Sequence, residues 1–108
     1  MIWGSRRIPM PVTKEQFFQM VEAEINNAQS RFPPLNSLHE AYAVLLEEVD
    51  EVFEQMKLKE SKRDHDLLIK ELVQVASCAL RTVLDVVNDP KKVPPPPEGN
   101  LLIELGVR

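Results

Sequence analysis

Glu48 and Glu51, and further along Glu71 and Gln74, stand three residues apart within two consecutive helix-patterned stretches. On a helix that spacing puts both members of a pair on one face, with roughly 5–6 Å between Cβ atoms, so each pair can aim its oxygens at one point. Two such pairs facing each other make an oxygen cage for a hard divalent cation. Magnesium and manganese take oxygen ligands of this kind, whereas zinc prefers histidine and cysteine. Magnesium keeps part of its water shell and binds through a few carboxylates together with substrate phosphates, so an acidic helix pair invites a polyphosphate. The chemistry is then hydrolysis of a phosphoanhydride, in which the metal neutralises phosphate oxygens and a nearby carboxylate serves as general base.

The elements that must position these groups follow from capping signals and apolar periodicity. Thr13 with Gln16 is a capping box that opens a first helix over Lys14 to Arg31. Phe17, Met20, Val21, Ile25 and Ala28 recur along it at helical steps, with Glu24 as the polar exception, and the helix reads as a packing element. Pro33-Pro34 stops it, and Ser37 with Glu40 opens a second helix expected to run from Leu38 to Lys59. Its apolar arc holds Ala41, Tyr42, Leu45, Val49, Val52, Phe53 and Met56. Glu48 falls inside that arc and Glu51 on its edge. A carboxylate so placed is costly unless it is paired or ligates a metal. Asp50 and Glu54 project to the solvated side, and Glu47 abuts the Glu48–Glu51 pair.

The charged run Lys57 to Asp64 reads as a short turn, and Asp64 or Ser61 caps a third helix that continues to Asn88 before Asp89-Pro90. A short connection implies antiparallel neighbours, so the second and third helices form a hairpin that brings Glu48 and Glu51 toward Glu71 and Gln74. The third helix is apolar in most directions. One polar stripe remains, holding Lys70, Glu71, Gln74, Ser77, Arg81, Asp85 and Asn88, and it reads as the lining of a wet cleft. From the residues alone, the competing explanation is a set of buried ion pairs with Lys70 and Arg81 as the cations. Lys70 and Arg81 could otherwise hold phosphates, although Arg81 is also spaced to pair with Asp85. Asp85 stands 11 residues beyond Gln74, which is ~16 Å along a helix, too far to share one ion with it. Asp85, Asn88 and His39 are candidate nucleotide contacts. Trp3, Phe17, Phe18 and Tyr42 are the aromatic side chains available to stack on a base, with core packing the stronger expectation for Phe17 and Tyr42.

At 108 residues the chain is expected to form one helical domain, 1–93, followed by a proline-led arm, 94–108, that begins with Pro94 to Pro97. A formal net charge of −4 argues against a grip on nucleic-acid backbone. Cys78 is the only cysteine, which rules out an intramolecular disulfide and suits a reducing compartment. No secretory h-region and no apolar run of the ~20 residues needed to cross a bilayer is found, so a cytoplasmic protein without membrane contact is expected. The stretch Leu67 to Val87 is too apolar for an ordinary surface helix, which points to burial by a partner subunit.

Glu47-Glu48-Val49-Asp50-Glu51, followed after 19 residues by Glu71-Leu72-Val73-Gln74, resembles the EExxE plus ExxD signature of the MazG-like all-α nucleoside triphosphate pyrophosphohydrolases. The resemblance covers Asn36 to Asn88. It implies an all-α, antiparallel helical bundle protomer that assembles as a homodimer or homotetramer. The implied activity is magnesium-dependent cleavage of a nucleoside triphosphate between its α and β phosphates, with manganese as a possible substitute. Carried over by position, it makes Glu48, Glu51 and Glu71 metal ligands and Glu47 a neighbouring ligand or the residue that orients the attacking water. Gln74 stands where the family has aspartate; an amide oxygen can ligate magnesium but brings no charge and cannot act as a base. That departure favours the alternative expectation, a helical binding module of the same fold with weakened or lost catalysis.

Overall fold

The computed structural model describes residues 7–97, and these are all-α, with no strand among them. Helix α1 (Lys14–Arg31) leads into α2 (Leu38–Met56) and α3 (His65–Thr82), with a 3-10 turn at Glu60–Lys62 and a π-helical segment, Val83–Val87, continuing α3. Pro94 to Pro97 are exposed and without regular structure. Trp3 and the rest of the proposed arm, 98–108, lie outside the described residues.

The helix starts are set by side chains that satisfy otherwise orphaned N–H groups. Thr13 Oγ1 accepts from Gln16 N–H at 3.1 Å while Gln16 Oε1 accepts from Thr13 N–H at 2.9 Å, the full reciprocal box. Ser37 Oγ likewise accepts from Glu40 N–H at 3.1 Å, but the Glu40 carboxylate reaches one residue further back, to Asn36 N–H at 2.7 Å. Asp64, rather than Ser61, caps α3 by accepting from Leu67 N–H at 3.1 Å. Loss of such a cap costs about 1 kcal/mol. Thr13→Ala is accordingly expected to lower the unfolding free energy by about 1 kcal/mol in urea titration, with divalent-cation binding unchanged.

Helix α2 ends at Met56, earlier than the Lys59 expected from sequence, because its last carbonyls find other partners. Arg63 Nη2 donates to Met56 O at 2.9 Å and Leu58 N–H to Gln55 O at 3.2 Å, which turns the chain out of the helix. At the other end of the hairpin, α3 widens: Asn88 N–H reaches Val83 O at 3.0 Å, a five-residue step. Thr82 Oγ1 donates to Cys78 O at 2.8 Å just before this point, a back-bond that bends helices.

Gln55 Oε1 accepts from Asp64 N–H near the turn, whereas Cys78 Sγ lies 4.0 Å from Ala41 O at the opposite end, so α2 and α3 run antiparallel. Helices α1 and α2 both pack on α3 but not on each other, so they open a cleft over it. The base of this wedge is closed by Leu35, Ala41 and Val86, with Val44 and Val93 against them. Polar staples hold the α1–α2 connection there: Leu35 N–H donates to Asp85 Oδ2 at 3.0 Å, and Lys92 Nζ donates to Leu35 O and Asp85 O at 2.8 Å each.

Helix α2 is rotated relative to its apolar arc. Ala41 is buried and Leu45, Glu48, Val52 and Gln55 are half-buried, while Tyr42, Leu46, Val49, Phe53 and Met56 stand in solvent. Tyr42, expected in the core, is 65 % exposed. The side of α2 laid toward the protein interior is centred on a glutamate, because the cleft rather than a dry core lies beneath it.

Candidate metal centre

The cleft has a volume of about 550 Å³, within the range of small-ligand sites. Helix α1 contributes Glu24, Asn27, Ala28 and Arg31; α2 contributes Val44, Glu48 and Glu51; α3 contributes Glu71, Gln74, Ser77, Cys78 and Arg81. The wall of α2 is thus mainly carboxylate, and Arg31 and Arg81 give the cleft a basic complement.

Glu48, Glu51 and Glu71 each bring one carboxylate oxygen to within 4.8 Å of the other two. Glu71 is only 9 % exposed, and its Oε2 is buried with no hydrogen-bond partner. Burial, then the charge of Glu51 and a side-chain hydrogen bond with it, pushes Glu48 up to about 7 from an ordinary 4.5. Burial, then the hydrogen bond to Glu51 and the charges of Glu51 and Glu48, pushes Glu71 up to about 8. Like charges at this distance favour the protonated form of Glu48 and Glu71, and a cation among them would take the place of those protons.

The ion-pair explanation does not supply that counter-charge through Arg81, which lies 3.6 Å from Asp85 and donates to Pro33 O at 3.2 Å. Lys70 is buried on α3 but is not part of the cleft lining. An all-oxygen donor set with an orphaned buried oxygen fits a hard divalent cation. Cys78 lines the floor, and its thiol is pushed up by burial and then by the charge of Glu48, which makes it a poor nucleophile.

Among the residues singled out from sequence, Glu48, Glu51, Glu71, Gln74 and Arg81 meet in this cleft. Glu47 is exposed on α2 beside it and adds to the electrostatic load on Glu48. His39 at the start of α2 and Asn88 past the π-helical segment are exposed and do not line the cleft. Asp85 faces a smaller cavity shared with Arg81, Phe32 and Pro34, and its Oδ2 is engaged with Leu35 and Arg81. Three polar lining residues were not read as functional from sequence: Glu24, Asn27 and Arg31. Glu24 carried a signal, as the one acid among the apolar steps of the first helix; it is 4 % exposed and accepts from Gln74 Nε2 at 3.0 Å. Asn27 and Arg31 follow it at one-turn steps along the same face.

Set against family models, curated proteins and solved structures, the chain matches none. No helix among the described residues is long and apolar enough to cross a membrane.

Proposed function

We propose that this chain is a magnesium-dependent nucleoside triphosphate pyrophosphohydrolase, which cleaves a ribo- or deoxyribonucleoside triphosphate to the monophosphate and pyrophosphate. The observation that carries the reading is the convergence of Glu48, Glu51 and Glu71 in a cleft, with a buried Glu71 oxygen left without a partner. These three carboxylates would hold Mg2+, or Mn2+ in its place. The ion supplies charge neutralisation for phosphate oxygens and makes water a better nucleophile at neutral pH. The MazG-like signature Glu47-Glu48-x-x-Glu51 with Glu71 supports the same chemistry from sequence.

The protein's own groups then have separable roles. Glu48 would take a proton from the attacking water. Glu47, beside it at the rim, is placed to orient that water. Arg81 lines the cleft and would hold a substrate phosphate through donors other than the Nη2 hydrogen that is given to Pro33 O. Arg31 adds a second cation on the α1 wall. The test is a panel of ribo- and deoxyribonucleoside triphosphates incubated with Mg2+ or Mn2+, the products identified by chromatography and phosphorus NMR. Release of pyrophosphate with the matching monophosphate is expected for at least one nucleotide, and an inert panel overturns the reading. Gln74, neutral where the signature has aspartate, keeps a second reading open, a nucleotide-binding module without turnover; calorimetry showing Mg2+-linked binding beside an inert panel would establish it.

The protomer is proposed to function as a homodimer or homotetramer within the cytoplasm. Tyr42, Leu46, Val49, Phe53 and Met56 form an exposed apolar seam on α2 at alternating four- and three-residue steps, the repeat that packs one helix along another. Leu72, Leu80, Val83 and Val87 extend exposed apolar surface onto α3 and its continuation. Large apolar side chains exposed in a row along one helix mark an interaction surface. Phe53→Asp, in the middle of the seam, is expected to convert the oligomer to monomers in size-exclusion chromatography with light scattering. A wild-type chain that is already monomeric at micromolar concentration would count against the assembly.

A further inference from the structure

Glu24 is the most buried charged side chain among the described residues, and it lies on α1, not on either helix of the hairpin. A carboxylate so far from water is costly unless something compensates it. The partner that faces it is a neutral amide: Gln74 Nε2 donates at 3.0 Å, across the cleft from α3. A single neutral hydrogen bond orients a carboxylate but leaves most of its charge unbalanced. Glu24 also lines the same cleft as the three clustered glutamates, whose own buried oxygen, Glu71 Oε2, is without a partner. Three helices thus bring acid to one cavity: Glu24 from α1, Glu48 and Glu51 from α2 and Glu71 from α3.

We infer that Glu24 supplies the fourth negative charge of the divalent-cation site and that Gln74 is a positioning residue that fixes the Glu24 carboxylate. The inference rests on the metal reading above and goes beyond it by moving the fourth group of the site from α3 to α1. Glu24 stands outside the tight three-oxygen cluster, so it acts on the ion through the water that magnesium and manganese retain. The hydrogen bond to Gln74 then explains why an amide serves at a position spaced to pair with Glu71: a second carboxylate there would repel Glu24 instead of holding it. It also gives α1 a part in the site, since Glu24 reaches the cleft only when α1 is docked on α3.

The experiment is titration of the full-length chain with Mn2+ alone, followed by calorimetry and by the electron paramagnetic resonance signal of free Mn2+. Glu24→Gln keeps the shape of the side chain and an oxygen to accept from Gln74, so the fold is expected to persist. Its Mn2+ affinity is expected to fall about 10- to 100-fold, the usual effect of removing a group that supports a metal from outside its direct ligands. The exchange E24Q/Q74E swaps amide and carboxylate across the same hydrogen bond, and is expected to recover most of the lost affinity. Wild-type affinity in E24Q, alongside loss of binding in Glu71→Gln, would overturn the inference while leaving the metal site intact. Failure of the exchange to recover any affinity would show that the Glu24–Gln74 hydrogen bond does not place the charge for the ion, and would overturn the role given to Gln74. A wild-type chain that takes up no Mn2+ would instead remove the metal reading, and this inference with it.

Discussion

Glu71→Gln is expected to cut turnover roughly 1,000-fold and, at the same time, to make the metal-free protein more stable. The two effects have one cause. Glu71 is buried, its Oε2 has no partner, and burial together with Glu51 holds its proton on to about 8, so the ionised form is held in place at a cost. The amide keeps the volume, removes the charge and offers N–H donors to the neighbouring carboxylates. In thermal melts with chelator near pH 8 the variant should therefore unfold at a higher temperature than wild type. The same substitution takes away a metal ligand, and metal stabilisation of developing phosphate charge amounts to several kcal/mol, so hydrolysis should fall by roughly 1,000-fold. Mg2+ should also cease to raise the melting temperature. An E71Q protein that is less stable without metal, or that retains turnover within about tenfold of wild type, contradicts the assignment of Glu71.

The carboxylate constellation was legible because it rests on local rules. Residues three apart on a helix share a face, and a charged turn between two helical stretches folds them into a hairpin, so Glu48, Glu51 and Glu71 could be brought together on paper. The bounds of α1 were legible for the same reason, since Thr13 and Gln16 carry its start within four residues and Pro33 closes its end. What escaped depends on pairs distant in sequence. The rotation of α2 could not be read from its apolar arc, because the arc reports where greasy side chains lie and not which part of them the protomer itself covers. Glu24 looked like an exception on a packing helix, because a helix taken alone does not reveal that Gln74, fifty residues on, stands opposite. The engagement of Asp85 divides along the same line. Its pairing with Arg81 at four residues was readable, whereas its bond to Leu35 N–H, across fifty residues, appears only once the α1–α2 connection folds back on the end of α3. The π-helical segment is the backbone's answer to that constraint, as it places Asp85 and the buried Val86 toward the same connection.

The response to Mg2+ should depend steeply on pH, and its direction follows from the two raised carboxyls. Glu48 and Glu71 have folded-state values of about 7 and about 8, each above the ordinary 4.5 that an unfolded chain would show. Between about pH 4.5 and 8 the folded protein therefore binds more protons than the unfolded one, so metal-free stability falls as pH rises through that window and levels off above it. A divalent cation must displace those protons to bind. Each proton displaced weakens apparent affinity about tenfold for every pH unit below the group's folded-state value, so binding is suppressed at pH 6 and close to its full strength above pH 8. The increase in melting temperature produced by a fixed Mg2+ concentration should accordingly be small near pH 6 and largest near pH 8.5, and chelator should erase it at every pH. In the double variant E48Q/E71Q both the fall in metal-free stability and the Mg2+ increment should flatten, because no displaceable proton remains at those positions. A Mg2+ increment that is constant from pH 6 to 8.5, or that shrinks toward alkaline pH, would mean that the ion is held somewhere other than among these glutamates.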